Sequence, residues 1–363
     1  MKSNFEHKKI KALVVDDSAF MRKSISILLE SDPDIKVVAT ARDGEEGCKL
    51  AKSIRPDIIT LDIEMPRMDG LTALKKIMSE CPTSVLMLSS LTTEGADVTI
   101  KALEYGAVDF IPKELSFINV NIINIKEELT RKIKAIVKQR AVRDRLKRIQ
   151  KLSPDSSPAQ YHRQIILPKI GYRAIVLGIS TGGPFSLQKL MPVLSKKINC
   201  PIFIVQHMPP KFTKSLAERL NGLSQLEVKE GEDDETVRNG VVYIAPGGYH
   251  MTIVKNSGGK NKVRISNEPS TTLNKPSVDV LAKSVIEIYG KYTLGVIMTG
   301  MGKDGLEGIT KLKSIGGYCI AQDEKTCVVY GMPKAVVDAG LADVIAPLEK
   351  IPKVINEAVI NER

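Results

Sequence analysis

The chain has 363 residues, 43% hydrophobic and 26% charged, which is room for two domains with their own cores and too much for one small module. No apolar run approaches the roughly 18 residues of a membrane span, and the polar start MKSNFEHKKIK lacks a signal core, so no membrane insertion and a cytoplasmic location are expected. Five scattered cysteines without a C-x-x-C pair argue against a zinc site or a disulfide frame, and the net charge of +11 is largely local rather than spread over a nucleic-acid face.

In chain order, short apolar runs at Ile10 to Val15, Ile35 to Thr40, Asp57 to Leu61, Ser84 to Leu88 and Ala107 to Ile111 alternate with amphipathic stretches. That alternation predicts a five-stranded parallel sheet wrapped by helices. Lys126 to Lys151 carries eleven Lys/Arg against three acids, with Leu129, Ile133, Ile136, Val137 and Leu146 near helical spacing. It reads as a helix with a solvated basic face, the alternative being a docking surface for an acidic partner. The Pro/Ser-rich run Leu152 to Ala159 reads as a linker. From Gly171 the alternation restarts, with strands at Ala174 to Leu177, Ile202 to Val205, Val241 to Ala245 and Leu294 to Met298. Shorter runs between Leu226 and Ser266, with a hairpin candidate at Asn256 to Lys260, add antiparallel strands. The expected fold is α/β with two doubly wound domains, the second mostly parallel.

Asp16 and Asp17 follow the first strand, Asp62 ends the third, Ser89 follows the fourth and Lys113 the fifth. In a sheet of order 2-1-3-4-5 all five meet at the switch point, where ligands bind. Clustered carboxylates repel unless a cation neutralises them, and Mg2+ meets that need while leaving room for a phosphoryl group. Asp62 can then act as nucleophile toward a phosphoryl donor, with Lys113 offsetting charge and Ser89 bonding the product.

The runs Val-Val-Asp16-Asp17-Ser, Leu61-Asp62-Ile-Glu-Met-Pro-Arg-Met-Asp-Gly70, Met-Leu-Ser89-Ser and Phe110-Ile-Pro-Lys113 resemble the receiver domain of two-component response regulators, over about residues 9 to 125. The resemblance implies Asp62 as phosphoacceptor, and Asp17, Asp62 and the Glu64 carbonyl as Mg2+ ligands with Asp16 outside them. It further implies Phe110 as a switching aromatic beside Ser89 and Lys113. Glu114 departs from the family, in which many members carry proline after the lysine.

In the second half, Gly178-Ile179-Ser180-Thr181-Gly182 fits G-x-S-x-G, where small neighbours let a strand-to-helix turn lift a serine oxygen above the sheet edge. Of the four histidines, His7 lies in the N-terminal tail and His162 in the linker region. His207 follows a strand and is favoured as the base; His250, past the Pro-Gly-Gly-Tyr turn, could instead line a substrate cleft. Asp304, after Leu294 to Met298, is the favoured orienting carboxylate, with Asp279 in an apparent helix as the alternative. Glycines around Met301 could expose a backbone N–H to developing negative charge. The same loop, Gly300-Met-Gly302-Lys-Asp-Gly305, also spells a dinucleotide fingerprint, although too little chain follows for a full binding domain.

The order Ser180, His207, Asp304 differs from that of α/β-hydrolases. Together with Ile-Ala-Pro-Gly-Gly-Tyr-His250 and Lys-Pro-Ser-Val-Asp279, these runs resemble the catalytic domain of bacterial chemotaxis methylesterases, giving expected divisions at 9–125, 126–170 and 171–363. The resemblance implies Ser180 as nucleophile, His207 as base, Asp304 as orienter and the Met301 backbone in the oxyanion hole, with no cofactor for ester hydrolysis. It implies glutamate γ-methyl esters and glutamines on chemotaxis receptors as substrates, and a chemotaxis histidine kinase as phosphodonor. A receiver joined to a DNA-binding part is the competing class, but no helix-turn-helix pattern follows and nucleic acid is not expected.

Overall fold

The computed structural model describes residues 9–113, 122–152 and 167–360, and the chain divides into two compact units, Met1–Ala141 and Val142–Arg363. His7, Glu114, His162 and the 153–159 part of the expected linker lie outside the described residues.

The first unit runs β1 (Ile10–Val15), α1 (Ala19–Glu30), β2 (Ile35–Ala41), α2 (Gly44–Ile54), β3 (Ile58–Asp62), α3 (Gly70–Glu80), β4 (Ser84–Ser89), α4 (Thr93–Glu104), β5 (Asp109–Pro112) and α5 (Ile122–Leu152). Its strands pair in parallel in the order β2-β1-β3-β4-β5. Leu13, Val14, Ile58, Ile59, Val85 and Leu86 are fully buried because helices cover both sheet faces. Helices α1 to α4 each start on a side-chain cap: Ser18, Asp43, Asp69 and Thr92 accept backbone N–H groups of Met21, Glu46, Thr72 and Gly95. These caps fix where each strand stops, and so which residues stand at its carboxyl end.

The basic stretch is the single helix α5, but its charges are not simply solvated. Leu129, Ile133 and Ile136 are buried. Lys132 reaches Asp109 at 3.0 Å and the Phe110 carbonyl at 3.1 Å, and Lys134 reaches Asp32 at 2.9 Å and Asp34 at 2.8 Å. Part of the positive run is therefore spent on acids of the first unit.

The second unit contains β6 (Ala174–Ile179), α6 (Gly183–Leu190), β7 (Ile202–Gln206), α7 (Phe212–Asn221), β8 (Glu227–Glu230), β9 (Val241–Ile244), β10 (His250–Lys255) and β11 (Asn261–Ser266). It continues with α8 (Val278–Tyr289), β12 (Thr293–Ile297), α9 (Leu306–Ser314), β13 (Tyr318–Gln322), α10 (Met332–Asp338), β14 (Val344–Ala346) and α11 (Ile351–Val359). Seven parallel strands lie in the order β14-β13-β12-β6-β7-β9-β8, and β10 and β11 form a separate antiparallel pair. The chain leaves β6 toward β7 on one side and returns later to β12 on the other, so the switch point falls between β6 and β12.

Phe203 on β7 is fully buried and stacks on Tyr243 of β9 with ring centroids 5.7 Å apart. Phe203→Ala should lower the unfolding free energy by about 3–5 kcal/mol, measured by urea denaturation, because the vacated space cannot collapse between two sheet strands. A loss below about 1 kcal/mol would contradict this placement of the core.

Candidate active site

At the edge of the first sheet, the carboxylates of Asp16, Asp17 and Asp62 have oxygens within 4.8 Å of one another. Asp16 and Asp62 are buried while Asp17 is exposed. The turn after β3 is close-packed: Gly70 N–H donates to the Ile63 carbonyl at 2.8 Å, and a Cβ at Gly70 would lie 1.9 Å from the Asp62 carbonyl oxygen. Only glycine lets α3 start this near the strand end.

Lys113 Nζ lies 2.5 Å from Asp62 Oδ2 and 3.1 Å from Asp16 Oδ2. Burial pushes the Asp62 carboxyl up to about 6, Lys113 opposing and Asp16 adding to the rise. Burial acts to lower Lys113, yet Asp62 and Asp16 outweigh it and hold its ammonium above the ordinary range. Asp16 Oδ2 is buried with no aligned hydrogen bond among the described residues. An all-oxygen donor set, with a buried carboxylate oxygen countered by a single lysine, fits a hard divalent cation such as Mg2+. Ser89 is fully buried, its Oγ bonded to the Gly95 carbonyl at 3.2 Å and to Thr99 Oγ1 at 2.6 Å, so its hydroxyl is engaged with α4. Phe110 is buried, and the Glu64 side chain is exposed.

The second site lies across the switch point of the seven-stranded sheet. Ser180 follows β6, His207 follows β7, and Asp304 lies in the loop after β12. Ser180 N–H donates to the Thr299 carbonyl at 2.9 Å, and His207 N–H to the Ile179 carbonyl at 3.2 Å. The His207 Nε2–Asp304 Oδ2 distance is 2.8 Å. The structure thus brings His207 and Asp304 together; Ser180 Oγ, on the neighbouring strand end, has no hydrogen bond to the imidazole among the described residues. With Nε2 given to Asp304, Nδ1 is the ring nitrogen left for the serine.

Asp304 is nearly buried and seated on the N-terminus of α8. Its Oδ1 accepts Ser277 Oγ at 2.9 Å and Asp279 N–H at 3.0 Å, and its Oδ2 accepts Val278 N–H at 2.8 Å. Burial alone would raise its pKa, but His207 and the α8 amides hold it well below the usual carboxylate range. Asp279 touches Asp304 through its backbone, while its own Oδ1 accepts Gly308 N–H at 2.8 Å. Burial, with Asp304 adding, pushes the Asp279 carboxyl up to about 6.

Gly300 abuts Ser180: a Cβ there would lie 2.8 Å from Ser180 Cβ. Its carbonyl is pinned by Gly331 and Met332 N–H groups at 3.0 and 2.9 Å, and the adjoining Met301 N–H has no partner among the described residues. Asp304 in this turn faces α8 and His207, which puts a carboxylate where a dinucleotide's pyrophosphate would need donors. His250 is fully buried, so it does not line a cleft.

Sequence reasoning missed the supporting residues. Buried Gln206 donates through Nε2 to the carbonyls of Ser180 and His207 at 3.1 and 3.2 Å, binding the two strand ends together. A Cβ at Gly183 would lie 1.8 Å from Gln206 Oε1, so α6 leaves room for that amide. Thr299 Oγ1 bonds the Thr181 carbonyl at 2.9 Å, and Ser277 is the cap that holds Asp304. Gln206 and Ser277 are each within two residues of a singled-out acid or histidine, but a side chain that bonds backbone carries no periodic signal.

The family pattern described as CheB methylesterase matches residues 175–355, and that of the response regulator receiver domain matches residues 12–121. Protein-glutamate methylesterase/protein-glutamine glutaminase 1 of Oleidesulfovibrio alaskensis is 48% identical, over 96% of this chain and 99% of its own. The chain belongs to the protein-glutamate methylesterase/protein-glutamine glutaminase family. A further member, from Pyrococcus horikoshii, is 45% identical over 97% of this chain and 94% of its own. The crystal structure of the Thermotoga maritima CheB methylesterase catalytic domain aligns at 47% identity and a TM-score of 0.49, over 51% of this chain and 97% of that one. This methylesterase carries its receiver domain in front of the ester-hydrolase domain.

The sign of one pH effect follows from Asp62. Its folded pKa lies above the ordinary 3.8, so its protonated form favours folding and the ionised form opposes it as pH rises through about 6. Asp62→Asn should stabilise the metal-free chain at pH 8 by up to about 3 kcal/mol and by little at pH 4, read from urea unfolding. Equal effects at both values would contradict the buried, charged setting of Asp62.

Proposed function

We propose that this methylesterase hydrolyses glutamate γ-methyl esters, and deamidates glutamines, on methyl-accepting chemotaxis receptors, under control of phosphorylation at Asp62. The observation that carries the reading is the 2.8 Å His207–Asp304 pair on the sheet edge from which Ser180 also emerges. In this assignment residues 9–125 are the receiver, 126–170 the basic helix and linker, and 171–363 the catalytic domain.

His207 Nδ1 takes the Ser180 hydroxyl proton as Oγ attacks the ester carbonyl, and Nε2–H stays on Asp304, which stabilises the imidazolium that forms. The carbonyl oxygen becomes an oxyanion facing the Met301 N–H. Collapse returns the proton from Nδ1 to the departing methoxide, releasing methanol and leaving an acyl-Ser180. Water then attacks with the same proton transfers, restoring the serine and freeing glutamate. With a glutamine side chain the leaving group is ammonia. Absence of a serine–histidine hydrogen bond in the free enzyme does not oppose this, since such contacts commonly tighten only with substrate.

In the receiver, Asp62 Oδ attacks the phosphorus of a phosphohistidine on a chemotaxis histidine kinase, forming an acyl phosphate as the P–N bond breaks and the kinase imidazole leaves. Asp17, Asp62 and the Glu64 carbonyl, with Asp16 behind them, would hold Mg2+, which would supply charge neutralisation. Lys113, already on Asp62, neutralises a phosphoryl oxygen, and Ser89 leaves Gly95 to bond another, with Phe110 following the change toward the space vacated. Receptor demethylation makes the enzyme part of sensory adaptation, acting in the cytoplasm.

The test is methanol release from a methylated receptor fragment, with and without acetyl phosphate and Mg2+. The unmodified chain should turn over faster with the phosphodonor, and Asp62→Asn should keep basal turnover without the gain. Ser180→Ala should abolish release while Asp62 still takes the phosphoryl group, and Asp304→Ala should lower kcat by on the order of 10³-fold or more. Full turnover by Ser180→Ala would sink the reading.

A further inference from the structure

His250 is the one histidine among the described residues that the proposed chemistry leaves unused, and it is fully buried at the start of β10. A buried imidazole must satisfy two ring nitrogens, and here the neighbours decide which one carries the proton. Ser277 N–H points at Nδ1 over 3.3 Å, so Nδ1 is an acceptor. Nε2 lies 2.8 Å from Thr272 Oγ1, whose own hydroxyl proton goes to the Pro269 carbonyl at 3.3 Å, so Thr272 accepts from Nε2–H. Both contacts select the neutral Nε2–H form.

The acceptor role places His250 one bond away from the seat of Asp304. Ser277 caps α8 through its Oγ, and that same Oγ holds Asp304 Oδ1 at 2.9 Å. Val278 and Asp279, the next two residues, donate their N–H groups to the same carboxylate at 2.8 and 3.0 Å. Ser277 therefore has its backbone fixed by His250 and its side chain fixed on Asp304.

We propose that neutral His250 is a positioning residue of the esterase centre, holding Ser277 and the first turn of α8 in the register that seats Asp304 against His207. The inference rests on the reading of Asp304 as the orienter of His207. A protonated imidazole would turn an N–H toward the Ser277 N–H and break the arrangement. The charged groups around it fit a ring kept neutral: burial depresses its pKa and Lys275 adds to that, against the Asp304 and Glu268 carboxylates and the Pro269 carbonyl. Farther out on α8, Asp279 is bonded to Gly308, and Lys283 is paired with Glu307 at 2.6 Å. A folded pKa below the ordinary 6.5 means that stability falls as pH drops below 6.5, because the unfolded chain takes up the proton first.

Two substitutions divide the ring. In His250→Asn the amide oxygen replaces Nδ1 and keeps the Ser277 contact; in His250→Gln the amide reaches only the Nε2 position. On full-length enzyme and methylated receptor fragment, Asn should retain kcat within about threefold, while Gln should lose about tenfold or more in kcat with KM changed less than about twofold. Equal kcat in wild type and Gln, or loss in Asn with retention in Gln, would overturn the proposal. Imidazole 15N shifts of the wild-type chain give a second measurement that no folding defect can spoil. They should report the Nε2–H tautomer, neutral at pH 6.5. An Nδ1–H tautomer, or half protonation at pH 6.5 or above, would overturn it. If Asp304→Ala leaves kcat unchanged, the triad reading fails even where these shifts are as expected, so the two failures are distinguishable.

Discussion

A single buried carboxylate organises the second domain. Asp304 accepts from Ser277 Oγ, from Val278 and Asp279 N–H, and from His207 Nε2, and these partners come from the start of α8 and the end of β7. An ionised carboxylate this deep is tolerable only when its oxygens are filled by donors, and the amides of a helix N-terminus supply them without further charge. The loop after β12, the helix α8 and the strand end of β7 are thereby joined at one point, with Gln206 adding β6 through the Ser180 carbonyl. Removal of the acid would release three elements at once.

The receiver solves the same electrostatic difficulty in the opposite way. Its carboxylates crowd together: Asp16 accepts Ser18 N–H, Asp62 accepts Ile63 N–H, and the Lys113 ammonium set against both does not offset burial, so Asp62 is raised where Asp304 is lowered. Burial acts in the same direction on both groups; the neighbours decide the sign. One acid is left short of positive charge and the other is saturated with donors, a contrast that suits the cation proposed for the first site and the fixed geometry proposed for the second.

Much of this was legible in the sequence because chemistry-bearing residues directly follow apolar strands. Asp16, Asp62, Ser180 and His207 could be placed at carboxyl ends once Ile10–Val15, Ile58–Asp62, Ala174–Ile179 and Ile202–Gln206 were recognised as strands, and the first switch point followed from the expected order, whereas the second emerges only from the observed strand order. Less legible were β8, which lies in the stretch expected to add antiparallel strands but pairs in parallel with β9, and β14, three residues long at a sheet edge. The seat of Asp304 was hidden for another reason: Ser277 and the α8 amides act through backbone position, which residue type does not announce. The basic helix misled in a third way, since Lys132 and Lys134 find their acids in Asp109, Asp32 and Asp34, distant in sequence.

The orientation of the His207 ring has a consequence for reach. Nδ1 is bonded to the ring carbon that carries Cβ, whereas Nε2 is one atom farther out, so a base working through Nδ1 is tethered close to its own backbone. In the proposed reaction such a base swings little, and Ser180 has to be delivered to it. That explains why β6 and β7 are adjacent strands locked at their ends by one glutamine, and why α6 begins with a glycine that leaves that glutamine space. Accuracy of placement here resides in the scaffold, and under the proposed mechanism an alkylating inhibitor would mark the inner nitrogen of the His207 ring.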